Sequence, residues 1–587
     1  MKGFWKVVLG TIVGLILFIG LQFVLLLIVA GAASSSSTTS LSNHSVYRLD
    51  LKGTLAERVL EDPFSQVFGS MQSIPGYEQK EQIGLQDVLA NIKLAKEDSH
   101  IEGIYLKGGQ LSMGFASAKQ IRDALLDFKQ SGKWIVAYAD SYSQSNYYLA
   151  SVADKICLNS DGAVSWSGLA SAIGFYKGVF DKLGVEIQVF KVGTFKSAVE
   201  PYINTEMSDA NKLQMNTILD DIWSEMKQAV ALSRNLTVGQ LDSLADMNMD
   251  LQPQELYVQN KLVDTLVYVQ DIDTLFKQLT GTDDFNIVSH KSMNNVPRNE
   301  KYKSDHVAVI YAEGTITDDT GDGIVGKKMV KTINEIAEDD DVKAVVLRVN
   351  SGGGSAYASE QIWHAMTLLK QKGLPVIVSM GDYAASGGYY ISCMADSIFA
   401  EPTTITGSIG IFGLLPNVHG LAQNIGYSVD GVQTNKHGLF NVNAMYGIMP
   451  EDEKQQMQAA VNRGYEQFTL RCANGRGLSQ DSIKVIGEGR VWSGKRALEL
   501  GLVDRLASLD DAICAAASMA GVTDYTISSY PEQEDIYTQL LNSNTSERIA
   551  DRIIAKRLGY AYDEYKVLNQ IINSTGIRAE MIPVRIY

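Results

Sequence analysis

Cysteine is scarce in this 587-residue chain: Cys157, Cys393, Cys472 and Cys514 stand far apart and none belongs to a CxxC pair. That spacing excludes a zinc ribbon and a dense disulfide framework, and isolated cysteines of this kind are expected as buried free thiols. Histidine is nearly as rare, seven in all, with no HExxH or other ligand pair at helical spacing, so no metal or cofactor is expected. Positive charge is also in short supply. The formal net charge is −16 and no Lys/Arg cluster interrupts it, which argues against a nucleic-acid partner, because phosphate backbones need basic patches. The remaining composition is that of a globular protein, long enough for two to four domains.

Long apolar runs are absent except for one. Val7 to Ala33 is broken only by Gln22, and it exceeds the roughly 20 residues that cross a bilayer as a helix. It is also longer than the ~7–15-residue core of a cleavable signal peptide. Lys2 and Lys6 precede the run and no charge follows it closely, which places the N-terminus in the cytoplasm and the rest of the chain outside. Residues 1–33 are therefore read as a cytoplasmic stub and membrane anchor, and the Ser/Thr-rich residues 34–45 as a flexible tether.

Beyond the tether the chain repeats itself. DSYSQSNYYLASVADKI (Asp140 to Ile156) aligns with DYAASGGYYISCMADSI (Asp382 to Ile398), and the same offset pairs Ala116-Ser117 with Ala358-Ser359, Gly168 with Gly410 and Gly184 with Gly426. The period is far too long for a solenoid and indicates two copies of a domain. In the second copy VAVIYAEG, AVVLRVN and PVIVSM read as buried strands, and Ala358 to Lys370 has helical periodicity, an alternation that indicates an α/β fold. The expected domains are 46–288 and 307–522, with a polar linker at 289–306 and a helical extension at 523–587, its helix over Glu547 to Ile572.

Two segments of the second copy invite chemistry. Asn350-Ser351-Gly352-Gly353-Gly354 follows a strand directly; glycines there can turn N–H groups towards an oxyanion, or can simply make a tight turn. No GK[ST] follows, so the loop is not a phosphate-binding P-loop. Ala384-Ala385-Ser386-Gly387-Gly388 follows the next strand, where a serine between small residues can open a helix with its hydroxyl free; small residues can equally serve close packing. The first copy has Gln144 in place of Ser386. In return, FKSAVEPY carries Lys196 where the second copy has Gly438. The copies have specialised, one offering a hydroxyl and the other a lysine. A lysine acts as a base only if its pKa falls from about 10.4 towards 7–8, which burial must supply at about 4 kcal/mol. Apolar Phe195, Ala198 and Val199 permit that burial, although most lysines are solvated surface charges.

FKSAVEPY with Met207-Ser208 shortly after it, NSGGGS, AASGGYY and TGSIG together resemble the large, duplicated form of bacterial signal peptide peptidase A, also called protease IV, from roughly Val46 to Val522. The resemblance implies tandem Clp protease/crotonase-like domains and a Ser–Lys dyad. Ser386 would be the nucleophile, Lys196 its general base and Ser408 the group that orients the lysine. The oxyanion donors would be Gly353, Gly354 and Gly387. Gly352 stands where the family loop usually has proline, which leaves the turn freer. Implied substrates are hydrophobic signal peptides left in the membrane. The implied setting is the bacterial inner membrane, with the catalytic domains on the periplasmic side in a homotetramer. A crotonase-like acyl-CoA enzyme would share the oxyanion loop without needing Ser386. An inactive scaffold for membrane peptides would leave Lys196 solvated.

Overall fold

The computed structural model describes residues 38–59, 82–298, 302–321, 323–532 and 576–581, with single positions elsewhere. The expected anchor at 7–33 and the expected helix over 547–572 lie outside the described residues, apart from single positions within each. Among the described residues no helix is long and apolar enough to cross a membrane.

In the first half, β1 (Ser45–Ala56), β2 (Ile101–Ser112), β3 (Trp134–Tyr142) and β4 (Lys155–Val164) form a parallel sheet in that order. Short strands Gln82–Gly84 and Asn286–Ser289 flank β1, and Thr265–Leu266 flanks β4. Helices α1 (Phe115–Lys129) and α2 (Gln144–Ala150) make the crossovers. Ile135 to Ala139 of β3 carry no charge and are buried, as in a strand covered on both faces of its sheet. The chain then leaves the sheet through β5 (Glu186–Lys191) and enters the long helix α3 (Asp209–Arg234).

The second half repeats the plan. It runs β6 (His306–Glu313), β7 (Val342–Ser351), β8 (Gly353–Ser355), α4 (Ala356–Gln371), β9 (Val376–Ala385), α5 (Gly387–Tyr390), β10 (Ile405–Gly407) and β11 (Phe412–Asn417). Its main sheet has the order β10-β9-β7-β6-β12, where β12 is Thr526–Tyr530, and Val491–Ser493 caps the β10 edge antiparallel. Equivalent side chains do equivalent work in both halves. Asp154 accepts from the N–H of Ile135 and Asp396 from that of Val376, each at 2.8 Å. Tyr147 donates to Leu262 O and Tyr389 to Leu502 O.

A third sheet joins the halves. From the second half come Ile324–Val325, Ile316–Thr317, β8 and β11, and β5 comes from the first, pairing antiparallel with β11. Between β8 and β11 lies β13 (Gly576–Glu580), antiparallel to both. The tail after 523, expected to be helical, is thus strand at β12 and β13. β12 pairs with β6 of the main sheet, and β13 with β8 of the glycine loop and with β11. The linker is also less free than its polarity suggests. It carries helix His290–Asn294, and Asn91 donates to Asn294 Oδ1 at 2.5 Å. Three cysteines, Cys157, Cys393 and Cys472, are buried free thiols as expected, whereas Cys514 is exposed.

Candidate active site

Ser386 sits where β9 gives way to α5, with φ 57° and ψ −114°. A positive φ at a residue with a Cβ costs about 1–3 kcal/mol and persists only where surrounding contacts impose it. Here the Ser386 N–H donates to Gly407 O and its carbonyl accepts from the Tyr390 N–H, both at 2.8 Å. The small flanking residues answer to packing too: a β-carbon on Gly387 would lie 2.7 Å from Ser359 Oγ. The segment is tightly packed, and Ser386 itself is fully buried with its hydroxyl against Lys196 Nζ.

Lys196 arrives from the other half. The loop after β5 docks on the segment before Val491, where the Phe195 N–H donates to Glu488 O at 3.0 Å. Contact is so close that a β-carbon on Gly489 would lie 2.8 Å from Lys196 Cα. The lysine Nζ then reaches Ser386 Oγ at 2.8 Å, Ser408 Oγ at 3.1 Å and Ser408 O at 3.2 Å. Ser408 Oγ donates to Gly489 O at 3.3 Å, which leaves its lone pairs to the lysine. Lys196 is 1% exposed. Burial lowers its pKa from 10.5 to about 7, against a smaller opposing pull from the Glu580 carboxylate. A solvated lysine is excluded.

The FKSAVEPY motif holds this loop in shape. The buried Glu200 carboxylate accepts from the Ser208 N–H, from Ser208 Oγ at 2.6 Å and from Asn211 Nδ2 at 3.0 Å, tying the loop to the start of α3. One turn further on, Gln214 donates to Phe195 O and Ser197 Oγ and accepts from the Val491 N–H, bridging both halves. Glu200 could be suspected from its motif. Gln214 and Gly489 carry no signal in the sequence, because their partners are distant in the chain.

The glycine loop closes the site from the opposite side. A β-carbon on Gly353 would lie 2.1 Å from Ala579 O and 2.6 Å from Gly387 N. Gly353, Gly387 and the tail strand therefore surround one notch. Of the three glycines expected to present N–H groups, Gly353 commits its own to Ser351 Oγ at 3.1 Å. A serine hydroxyl two residues back satisfies it, whereas Gly354 stands opposite Ala579 of the tail strand.

The corresponding site of the first half is filled from within. Gln144 donates to Gly168 O at 3.0 Å and accepts from the N–H groups of Ser167 and Gly168 at 3.1 Å, and buried Trp166 stands at the position of Ser408. Gly438, aligned with Lys196, is exposed.

A serine held on a strained strand–helix turn beside a buried lysine is an arrangement of α/β serine hydrolases. The model for "Peptidase family S49" matches residues 127–283 and 368–523. The chain belongs to this family and is a serine peptidase with the duplicated architecture. Protease 4 of Haemophilus influenzae is 33% identical, over 94% of this chain and 93% of its own. Protease 4 of Salmonella typhi is 34% identical over 85% and 82%. A chloroplastic serine protease SPPA of Arabidopsis thaliana is 28% identical over 75% and 66%. A solved ClpP1 mutant from Listeria monocytogenes matches 35% of this chain and 94% of its own at 16% identity and a TM-score of 0.25.

Proposed function

We propose that this peptidase works through a Ser386–Lys196 dyad on extended hydrophobic peptides at a membrane surface. One observation carries the reading: the 2.8 Å contact between Lys196 Nζ and Ser386 Oγ, made by a lysine whose pKa burial brings to about 7. Neutral Lys196 takes the Ser386 proton as Oγ attacks the peptide carbonyl. Gly354 and Gly387 N–H groups hold the oxyanion. The protonated lysine then supplies the leaving amine, and water hydrolyses the acyl-enzyme. Ser408 orients Nζ throughout.

The apolar run at 7–33, behind Lys2 and Lys6, supports anchoring beside the bilayer with the domains outside the cytoplasm, which raises the enzyme's local concentration at membrane peptides. Remnant signal peptides are the substrates this placement and the family resemblance suggest, and the assembly proposed is a homotetramer. An acyl-CoA enzyme has no use for the lysine–serine contact, and a scaffold has no use for a lysine of lowered pKa.

The test is acylation by a fluorophosphonate probe, read by intact mass and peptide mapping. A single adduct on Ser386, lost in Ser386→Ala and Lys196→Ala, is the expected outcome. An adduct elsewhere, or none in folded protein from neutral to alkaline pH, would overturn the dyad.

A further inference from the structure

Arg490 has no acidic partner among the described residues, in a chain where acids outnumber bases 67 to 51. Arg234, Arg348, Arg476 and Arg496 each grip a carboxylate. The Arg490 Nε is instead buried without a hydrogen-bond partner, and the charge acting on its guanidinium, that of Arg496, has the same sign. What the guanidinium does hold is two rings. Its central carbon lies 4.8 Å from the ring centre of Phe195 and 4.1 Å from that of Trp492. A planar, weakly hydrated guanidinium can lie against two aromatic faces at once, whereas a lysine ammonium is a compact, strongly hydrated point charge. The rings belong to different halves. Phe195 immediately precedes Lys196, its N–H donating to Glu488 O and its carbonyl accepting from Gln214. Trp492 lies in the short strand that caps β10, fixed by its indole N–H on Ile486 O at 2.9 Å. The main chain makes a second link: Arg490 O accepts from the Ser408 N–H at 2.7 Å, and the Gly489 N–H donates to Ile409 O at 2.9 Å. Arg490 thus touches the serine that faces Nζ through its backbone, and the neighbour of the lysine through its side chain.

We infer that Arg490 is a positioning residue for the reaction: its stacked guanidinium pins the Phe195–Lys196 loop of the first half to the Ser408 turn of the second, and so fixes where Nζ stands against Ser386 Oγ. This rests on the reading of Lys196 as the base. The pin acts on geometry and on protonation together. Docking of this loop is what buries the lysine amine, and burial is what holds it near neutrality. With the guanidinium gone, Phe195 loses a stacking partner, the loop loosens and water reaches Nζ. The amine then keeps its proton to higher pH, a change in the same direction as the pull of the Glu580 carboxylate. Arg490 touches neither the nucleophile nor the substrate; it works through Phe195 and Ser408.

The experiment uses the full chain and follows fluorophosphonate labelling of Ser386 against probe concentration and pH in wild type, Arg490→Ala and Arg490→Lys. Circular dichroism and thermal unfolding serve as fold controls. At pH 7 the maximal labelling rate of Arg490→Ala should fall roughly tenfold, with the half-saturating probe concentration little changed. The acid limb of its pH–rate profile should move to higher pH. Arg490→Lys keeps the charge without the plane and should behave like Arg490→Ala. Guanidinium ion at a non-denaturing concentration should restore part of the rate in Arg490→Ala, and ammonium at equal ionic strength should not. Should Arg490→Ala fail to fold, Arg490→Lys carries the same readouts. A wild-type rate and acid limb in either folded variant would overturn the inference while leaving the dyad standing. A slower rate with an unmoved acid limb would overturn it too, as the mark of a packing role. Absence of labelling in wild type would instead remove the dyad, and the inference with it.

Discussion

Glu57, near the end of β1, and Arg348, in the middle of β7, form a two-point ion pair across the seam between the halves, at 2.8 and 3.1 Å. Their side chains are 2% and 1% exposed. Asn350, just ahead of the glycine loop, donates to the same carboxylate at 3.1 Å. The pair therefore ties the first half to the strand that delivers the loop.

Removing one partner should cost far more than removing both. Glu57→Leu alone leaves a buried guanidinium facing fewer acceptors and should destabilise by about 3–5 kcal/mol. The double variant Glu57→Leu/Arg348→Met should lie much closer to wild type. Urea unfolding of the four proteins gives the cycle, and additive losses would refute the coupling.

Activity should rise with pH through about 7, since the base must be neutral and the Lys196 pKa lies there. Stability follows the same group. Unfolded lysine holds its proton up to about 10.5, so between 7 and 10.5 the unfolded state binds more protons and native stability rises with pH. Below 7 both states are charged and the burial cost is complete. Lys196→Met should therefore be inactive yet more stable, by up to about 5 kcal/mol below pH 7, with the gain shrinking towards pH 10. A pH-independent gain would refute this.

Gly489→Ala tests how closely the lysine loop docks. The new methyl would sit 2.7–2.8 Å from Lys196 backbone and Cβ atoms, at a residue with φ +76°. Displacing a base by about 1 Å can cost 10²-fold in rate. The expected result is a loss of that order in kcat/KM with the circular dichroism spectrum retained.

Ser408→Ala removes one of three acceptors around Nζ, while the Ser386 contact and the Ser408 carbonyl remain. kcat should fall by roughly tenfold with KM little changed, as for a group that positions the base. The acid limb of the pH–rate profile should shift, because the neutral amine loses its orientation partner; an unchanged limb would reduce Ser408 to a packing role.

Gln144→Ser should not create a second active site. Among the described residues the side chain at 144 bonds only Ser167 and Gly168, Trp166 fills the place of Ser408 and Gly438 is exposed. Probe labelling of Gln144→Ser/Ser386→Ala should be nil, and any adduct on residue 144 would contradict this account.

Much of this protein was legible before folding was considered. The strand runs follow from short stretches of sequence, and the duplicated segments and the specialisation of Ser386 and Lys196 from aligning the two copies. The docking of Gly489, the bridge through Gln214 and the ion pair Glu57–Arg348 were not legible, because each depends on partners hundreds of residues away. The tail shows the difference most clearly. Its sequence carries no motif, and its strand character comes from the two edges that flank it.

Sequence pattern thus determined the α/β class, the two-copy organisation and the exchange of Ser386 and Lys196 between the copies, because periodicity and turn chemistry belong to neighbouring residues and self-similarity to aligned segments, none of which needs a folded chain. Tertiary structure decided the rest: that Lys196 crosses to Ser386, that Gly353 turns its N–H to Ser351, and that β13 lies between β8 and β11. These are contacts between distant segments, and burial, which pulls the lysine towards neutrality, exists only once both halves have closed around it.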